Sequence, residues 1–187
     1  MMQPVPRNQI VDYVTYTEGR DSVRSEVLEA KKLRRYHVGP HLTFLFENAL
    51  TVRYQVQEMM RIERIVKESD IQHELDTYNE LLGGDGELGA TLLVEIDDEG
   101  ARAELLTRWV GAVPTLYLEL PDGTRVRPSY DERQIGRGRL SSVQYLKFDV
   151  GDVAPVAIGC DFDDALLNHR YAFNEAESAA LAGDLAS

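Results

Sequence analysis

The sequence predicts an α+β domain, with helices mainly in the N-terminal half and an antiparallel sheet mainly in the C-terminal half. Apolar residues recur at helical spacing over much of residues 21–82. From Leu88 onward they alternate with polar residues, which is typical of strands, and a Pro-Asp-Gly turn at 121–123 indicates a hairpin. No repeat or linker divides the 187 residues, so we expect one globular domain over residues 1–187.

Three helices are predicted in the first half of the chain. Residues 21–34 have apolar residues at helical spacing and end on a basic cluster, which complements the negative end of the helix dipole. The longest helix covers 47–66, and its predicted apolar face consists of Val52, Val56, Met59, Ile62 and Val66. Ser69, with Gln72 three residues later, predicts a capping box that starts a third helix, which a Gly-Gly pair ends.

The strands are predicted from alternation and from aromatic and β-branched residues. An aromatic stretch around a Gly-Pro turn predicts a short strand followed by a buried strand over 41–46. Later strands are expected at 88–96, 116–120, 146–150 and 156–160. A short helix is expected near 103–110, a long polar loop at 129–141, and a last helix over 175–185, capped by Asn174.

Composition restricts the class of protein. The formal net charge of −12 repels phosphate groups, so nucleic acid is not expected as a partner. The single cysteine, Cys160, allows no disulfide within the chain. No stretch approaches the ~18 consecutive apolar residues of a membrane span, and the N-terminus lacks the pattern of a signal peptide. We therefore expect a cytoplasmic protein with no membrane segment.

A polar stripe on the longest helix is the strongest candidate for a functional surface. Its members are Glu47, Thr51, Tyr54, Glu58 and Arg61, with Gln57 at its flank. The stripe lies about 100° around the helix from the apolar face, so its donors and acceptors form one line. We predict that Tyr54, Glu58 and Arg61 line a cleft. The alternative is a solvated helix face with a weak Glu58–Arg61 pair.

A metal site is a second candidate. None of the four histidines belongs to the His-Glu-x-x-His motif of zinc hydrolases. If two helices pack side by side, His41, Glu47, Glu58 and His73 could form an oxygen and nitrogen ligand set. Such a set suits iron, manganese or zinc. The simpler alternative is that the histidines are hydrogen-bonded structural residues.

An anion site is a third candidate. Arg133, Arg137 and Arg139 lie close together in the polar loop at 129–141 and could bind an anion or a nucleotide despite the net negative charge. The chain has no glycine-rich phosphate-binding loop, however, and a solvated basic surface is the simpler interpretation of these arginines.

Several blocks of the sequence resemble those of a bacterial family, domain-of-unknown-function family 3501. The main blocks are VGPHLTFLFEN (38–48), TVRYQVQEMMRIERI (51–65), HELDTYNELL (73–82) and GATLLVEI (89–96). Weaker blocks are DER (131–133), SVQYLKF (142–148) and LAGDL (181–185). The resemblance covers most of the chain from about residue 20. The resemblance implies that many members of the family carry His where this chain has Gln144; if that His binds a metal, this chain lacks the ligand.

The resemblance implies a role without naming an activity. Genes of this family often lie beside genes for a rubrerythrin and an iron–sulfur oxidoreductase. The resemblance therefore implies a role in redox or iron metabolism, with one of these two proteins as the partner. We therefore expect a non-catalytic accessory or partner-binding protein. The alternatives are a metal-dependent enzyme with a carboxylate and histidine site on the long helix, and an anion or nucleotide binder that uses the loop at 129–141. Whether the protein is an enzyme stays open at this point.

Overall fold

The computed structural model describes residues 2–136 and 138–187, and within them it confirms the α+β class. The helices are α1 (Tyr13–Lys32), α2 (Ala49–Glu63), α3 (Glu68–Asn79), α4 (Glu99–Arg108) and α5 (Glu175–Leu185). The strands are β1 (Arg35–Val38), β2 (Leu42–Phe46), β3 (Glu87–Val94), β4 (Leu116–Glu119), β5 (Arg125–Val126), β6 (Ile135–Gly136), β7 (Arg139–Leu140), β8 (Val143–Asp149), β9 (Ala157–Cys160) and β10 (Arg170–Ala172). Among these helices, none is both long and apolar enough to cross a membrane.

The strands form two four-stranded antiparallel sheets and a short hairpin. The first has the order β1-β2-β3-β8 and the second has the order β10-β9-β4-β5, while β6 and β7 form a separate short hairpin. In the first sheet Phe44 lies between Tyr36 and Leu92, so their side chains share one buried face. The ring of Tyr36 lies 5.6 Å from that of Tyr171 and 4.6 Å from that of Phe173. One apolar core therefore joins the two sheets.

A second apolar core lies among α1, α2, α3 and the segment before α1. Its buried side chains are Met2, Val5, Ile10, Val52, Val56, Met60, Ile71, Leu75 and Leu82. Two side-chain amides bind the backbone of the N-terminal segment to the helices. Gln57 accepts from the nitrogen of Val11 at 2.8 Å and donates to its carbonyl at 3.0 Å. Asn79 makes the same pair of bonds with Val5, at 2.8 and 3.1 Å.

The helix starts confirm one sequence prediction and contradict another. Asn174 caps α5 in a capping box with Glu177, as predicted. The predicted capping box of Ser69 and Gln72 is wrong, because α3 begins at Glu68 and no side chain caps it. Ser69 and Gln72 hydrogen-bond to neighbouring carboxylates instead. Acidic residues in the first turn of α3 complement the helix dipole in place of a cap.

The end of the helix predicted over 47–66 also differs from the prediction. α2 stops at Glu63 because Arg64 adopts a left-handed conformation with φ 53°, which turns the chain toward α3. Ile62 and Val66 are therefore 65% and 73% exposed and do not extend the apolar face. Met60, not Met59, completes that face.

The ends of two other predicted elements also differ. α1 begins at Tyr13, eight residues before the predicted start at 21, because the side chain of Asp12 caps it. The predicted polar loop at 129–141 contains the β6–β7 hairpin.

A buried ion pair holds α5 against the junction of α1 and β1. Arg34 donates from Nε and Nη2 to the two carboxylate oxygens of Asp184, at 2.7 and 2.9 Å. The two side chains are only 13% and 8% exposed. Asn48, the N-cap of α2, also reaches Asp184, at 3.4 Å. Asp184 therefore joins α5 to two segments that lie 150 and 136 residues earlier in the chain.

We expect Asp184→Asn to lower the free energy of unfolding by roughly 3 kcal/mol or more, because it leaves the Arg34 guanidinium buried without its counter-charge. Urea denaturation monitored by circular dichroism measures the change. Glu29→Gln is the matched control, since the Lys32–Glu29 pair is 66% exposed on both sides and should contribute little. Equal effects of the two substitutions would contradict this account.

Candidate functional site

Glu58, the centre of the polar stripe, is the acceptor of a hydrogen-bonded cluster between α1 and α2. Arg20 donates to its two oxygens at 2.7 and 2.9 Å, and Tyr16 donates to Oε1 at 2.8 Å. Arg61 donates to the same two oxygens at 3.3 and 3.1 Å. The side chain of Glu58 is 12% exposed. We call these four residues the Glu58 cluster.

The surroundings of Glu58 favour its charged form strongly. Hydrogen bonds from Arg20 first, and then from Arg61 and Tyr16, outweigh the effect of burial and lower the pKa of Glu58 from 4.5 to about 2. Burial and the bond to Glu58 raise the pKa of Tyr16. Because both oxygens of Glu58 already accept two or more hydrogen bonds, the carboxylate joins two helices and has little capacity left for a ligand.

The other members of the polar stripe lie in separate surroundings. Glu47 is buried and accepts from the hydroxyls of Thr51 and Thr91, at 2.5 and 2.8 Å, so it ties the start of α2 to β3. The ammonium of Lys31 lies 5.4 Å from the ring centre of Tyr54. Gln57 is 3% exposed and its amide holds Val11. Most of the stripe therefore makes contacts within the fold.

The four residues of the predicted metal set have separate partners. Nδ1 of His41 donates to the carbonyl of Glu95 at 2.7 Å, and its ring lies 5.1 Å from that of Trp109. Glu47 and Glu58 have the partners given above, and His73 is exposed on α3. Over residues 2–136 and 138–187, no group of three or more His, Cys, Asp or Glu side chains is arranged to hold a metal ion. This ligand set is therefore not assembled.

Two arginines of the predicted anion site lie at exposed positions. Arg133 is 91% exposed and binds the carboxylate of Asp131, two residues away. Arg139 is exposed at the start of β7. Arg137 lies outside the described residues. Ser129 and Gln134 of the same loop contact strand β8 of the first sheet, and the sequence singled out neither.

A cleft lined by three tyrosines lies between the end of α3, strand β8 and residues 129–134. Its volume is about 600 Å³, within the usual range for ligand pockets. We call it the tyrosine cleft, and its lining includes Leu81, Tyr78, Tyr130, Asp131, Tyr145 and Lys147. Tyr145 is 45% exposed, while burial raises the pKa of Tyr78. Aromatic walls with a few charged groups suit a binding surface.

The secondary structure explains how the three tyrosines meet. Tyr78 follows Ile71 and Leu75 along the inner side of α3. Tyr145 alternates with two buried neighbours, Gln144 and Leu146, so it points away from the core. Tyr130 follows Ser129, whose nitrogen and carbonyl pair with Lys147 at 2.8 and 2.9 Å. Sequence alternation marks Tyr145 as outward-facing, but no local pattern shows that Tyr78 and Tyr130 lie beside it.

A second cleft, of about 650 Å³, lies at the N-terminus of α4. Glu95, Asp97, Asp98 and Arg102 contribute its charged groups. Asp98 caps α4, and Arg102 donates to the carbonyl of Ile96 at 3.0 and 3.2 Å. Because these two groups stabilise the fold, this cleft is the weaker candidate.

A comparison with protein families identifies the chain's relatives. A family model described as "Protein of unknown function (DUF3501)" matches residues 4–185. The chain belongs to the DUF3501 family. A crystal structure of a novel protein of unknown function from Burkholderia pseudomallei K96243 is 32% identical to it, with a TM-score of 0.88, and the match covers 98% of this chain and 100% of that one. No curated protein matches the chain significantly.

Gln144 is the position where the resemblance places His in other DUF3501 members. Its side chain is fully buried beside Leu92, and Nε2 donates to the carbonyl of Ser141 at 3.1 Å. Oε1 has no hydrogen-bond partner among the residues that the structure describes. A buried carbonyl without a hydrogen-bond partner costs free energy. At this buried position Gln144 is therefore expected to stabilise the fold less than an apolar side chain of the same shape.

We expect Glu58→Gln to lower the free energy of unfolding at neutral pH by roughly 3 kcal/mol. Because folding lowers the pKa of Glu58, its contribution is fully present above pH 4.5 and is lost as the pH falls toward about 2. Urea denaturation between pH 7 and about pH 2 should therefore show a flatter pH dependence for the variant.

Glu68→Gln is the control for this experiment, because the Arg7–Glu68 pair is exposed and has the same Arg-to-Glu geometry. It should change stability much less. If Glu58→Gln is as harmless as Glu68→Gln, the polar stripe is only a solvated helix face.

We expect Gln144→Met to raise the free energy of unfolding by about 1 kcal/mol, since methionine keeps the shape and removes the unpaired carbonyl. The thermal midpoint measures this. Gln9→Met, at an exposed glutamine before α1, is the control and should change the thermal midpoint little. A loss of stability at Gln144 would show that its amide is satisfied in solution.

Proposed function

We propose that this DUF3501 protein is a non-catalytic accessory protein of the cytoplasm that binds a partner protein through the tyrosine cleft. One observation supports it: three tyrosines from three separate segments line one cleft. Tyrosine is enriched at protein interfaces, because its ring covers a large area with few rotatable bonds and its hydroxyl finds a polar partner.

The charges around the cleft favour a basic partner. Glu80 lines the cleft, and the carboxylates of Glu63 and Glu74 act on the hydroxyl of Tyr78. Lys147 opposes them within the cleft. The whole chain carries a net charge of −12, so its field also attracts a basic surface and speeds the encounter with one.

The identity of the partner rests on the family resemblance. We propose a rubrerythrin or an iron–sulfur oxidoreductase, with the DUF3501 protein in a supporting role in redox or iron metabolism. The proposal assigns no reaction to the chain itself. Contacts within the fold account for the hydrogen bonds of Glu47 and Glu58, the two carboxylates of the polar stripe.

Titration of each purified candidate partner into the purified protein tests this proposal by calorimetry. We expect one of the two to bind, and Tyr145→Ala to weaken that binding roughly tenfold or more, as the loss of a central interface aromatic does. Val14→Ala is the matched control, because Val14 is 53% exposed on α1, away from the cleft.

The two parts of the proposal fail separately. If neither candidate protein binds, the proposed identity of the partner is wrong. If a candidate binds and both Tyr145→Ala and Tyr130→Ala leave its affinity unchanged while the variants unfold like the parent protein, the tyrosine cleft is not the interface.

A further inference from the structure

The free edge of the first sheet lies next to the tyrosine cleft. β8 is the last strand in the order β1-β2-β3-β8, and it pairs with β3 on one side only. The opposite edge strand, β1, is close to β9 and β10 of the second sheet. An edge strand presents backbone donors and acceptors that can accept another strand wherever no other strand already pairs with them.

Residues 129–134 cover this edge, but mostly without forming a strand. Ser129 makes the one backbone pairing, with Lys147. At Tyr145 the cover is a side chain, because the nitrogen of Tyr145 donates to Oε1 of Gln134 at 2.7 Å. At Val143 the nitrogen donates to the hydroxyl of Ser141 at 3.3 Å. Two of these three outward-facing amides are therefore bound by side chains.

The amide of Gln134 imitates a peptide group. Its oxygen accepts from the nitrogen of Tyr145, and its Nε2 lies 3.5 Å from the carbonyl of the same residue. In an antiparallel sheet, a directly opposed residue makes this same pair of contacts with its backbone. Gln134 thus occupies the position of one residue of an added strand, and a rotation of its side chain would vacate it.

We propose that β8 accepts an extended basic peptide segment of the partner as an additional antiparallel strand along residues 143–145, whose backbone replaces the side chain of Gln134 and stops short of Lys147, where Ser129 already pairs. This deepens the proposed function and rests on it. The residue opposite Tyr145 points to the same face of the sheet as Tyr145 and therefore into the tyrosine cleft. The residue two positions later lies opposite Val143, away from the like charge of Lys147, and the net charge of −12 favours a lysine or arginine there.

A synthetic peptide tests the pairing directly. The probe is fluorescein-labelled Thr-Val-Thr-Lys-Thr, in which valine opposite Tyr145 places the lysine opposite Val143, and the peptide does not reach Lys147, where Ser129 pairs. With Val opposite Tyr145, its backbone amide faces β8, whereas the amides of the neighbouring threonines face away. We expect N-methylation of the valine to abolish binding and N-methylation of the next threonine to leave it unchanged, measured by fluorescence anisotropy on the unaltered protein.

Two variants examine the competition with Gln134. Gln134→Ala should tighten peptide binding by about threefold or more, because it removes the group that occupies the edge. Gln72→Ala, at an exposed glutamine on α3, is the matched control and should have no effect. On binding, hydrogen exchange at the amide of Tyr145 should slow in the parent protein.

The outcomes separate this inference from the function on which it rests. Equal binding of the two N-methylated peptides, or no peptide binding at all, overturns strand addition. If the partner protein still binds in a manner that depends on Tyr145, the accessory role stands without it. Stronger inhibition by methylation of the threonine overturns the antiparallel orientation. Unchanged affinity in Gln134→Ala overturns the competition.

Discussion

The carboxylate of Asp184 is the contact on which the arrangement of layers depends. It receives Arg34 from the junction of α1 and β1 and Asn48 from the start of α2, so it joins the helices to the first sheet. With α5 held there, Leu181 is fully buried in the core between the sheets. Buried charges of this kind are costly unless fully paired, and here each is bound by its partner in a specific geometry, which restricts how the layers can pack.

The same physical logic applies to the Glu58 cluster and explains why the polar stripe is not an open site. A helix face with alternating donors and acceptors can bind a ligand or another helix. In this fold α1 covers it, and Arg20 and Tyr16 complete the coordination of Glu58. The charges of the stripe therefore hold α1 on α2, and the tyrosine cleft lies elsewhere, between α3 and the edge of the first sheet.

The sheet edge combines protection with access. Natural sheets cover their exposed edges because free backbone groups promote unwanted pairing. At Tyr145 the outward-facing backbone amide is bound by one side chain, that of Gln134. A side chain has more rotational freedom than a paired strand, and its rotation away from the edge breaks no hydrogen bond between β3 and β8. The three tyrosines beside it supply apolar area, so a partner that displaces Gln134 finds both backbone and side-chain contacts.

The sequence by itself determined the α+β class, the family, the Asn174 cap and the alternation of buried residues from Leu146 onward, because these depend on local periodicity and capping chemistry. It identified Glu58 and Arg61 as a pair, since they are three residues apart on one helix. Only the tertiary structure decided that Arg20 completes this pair, that Asp184 meets Arg34, and that Tyr78 and Tyr130 share a cleft. These contacts join residues far apart in the chain, and their distances depend on how the layers pack, which no local pattern encodes.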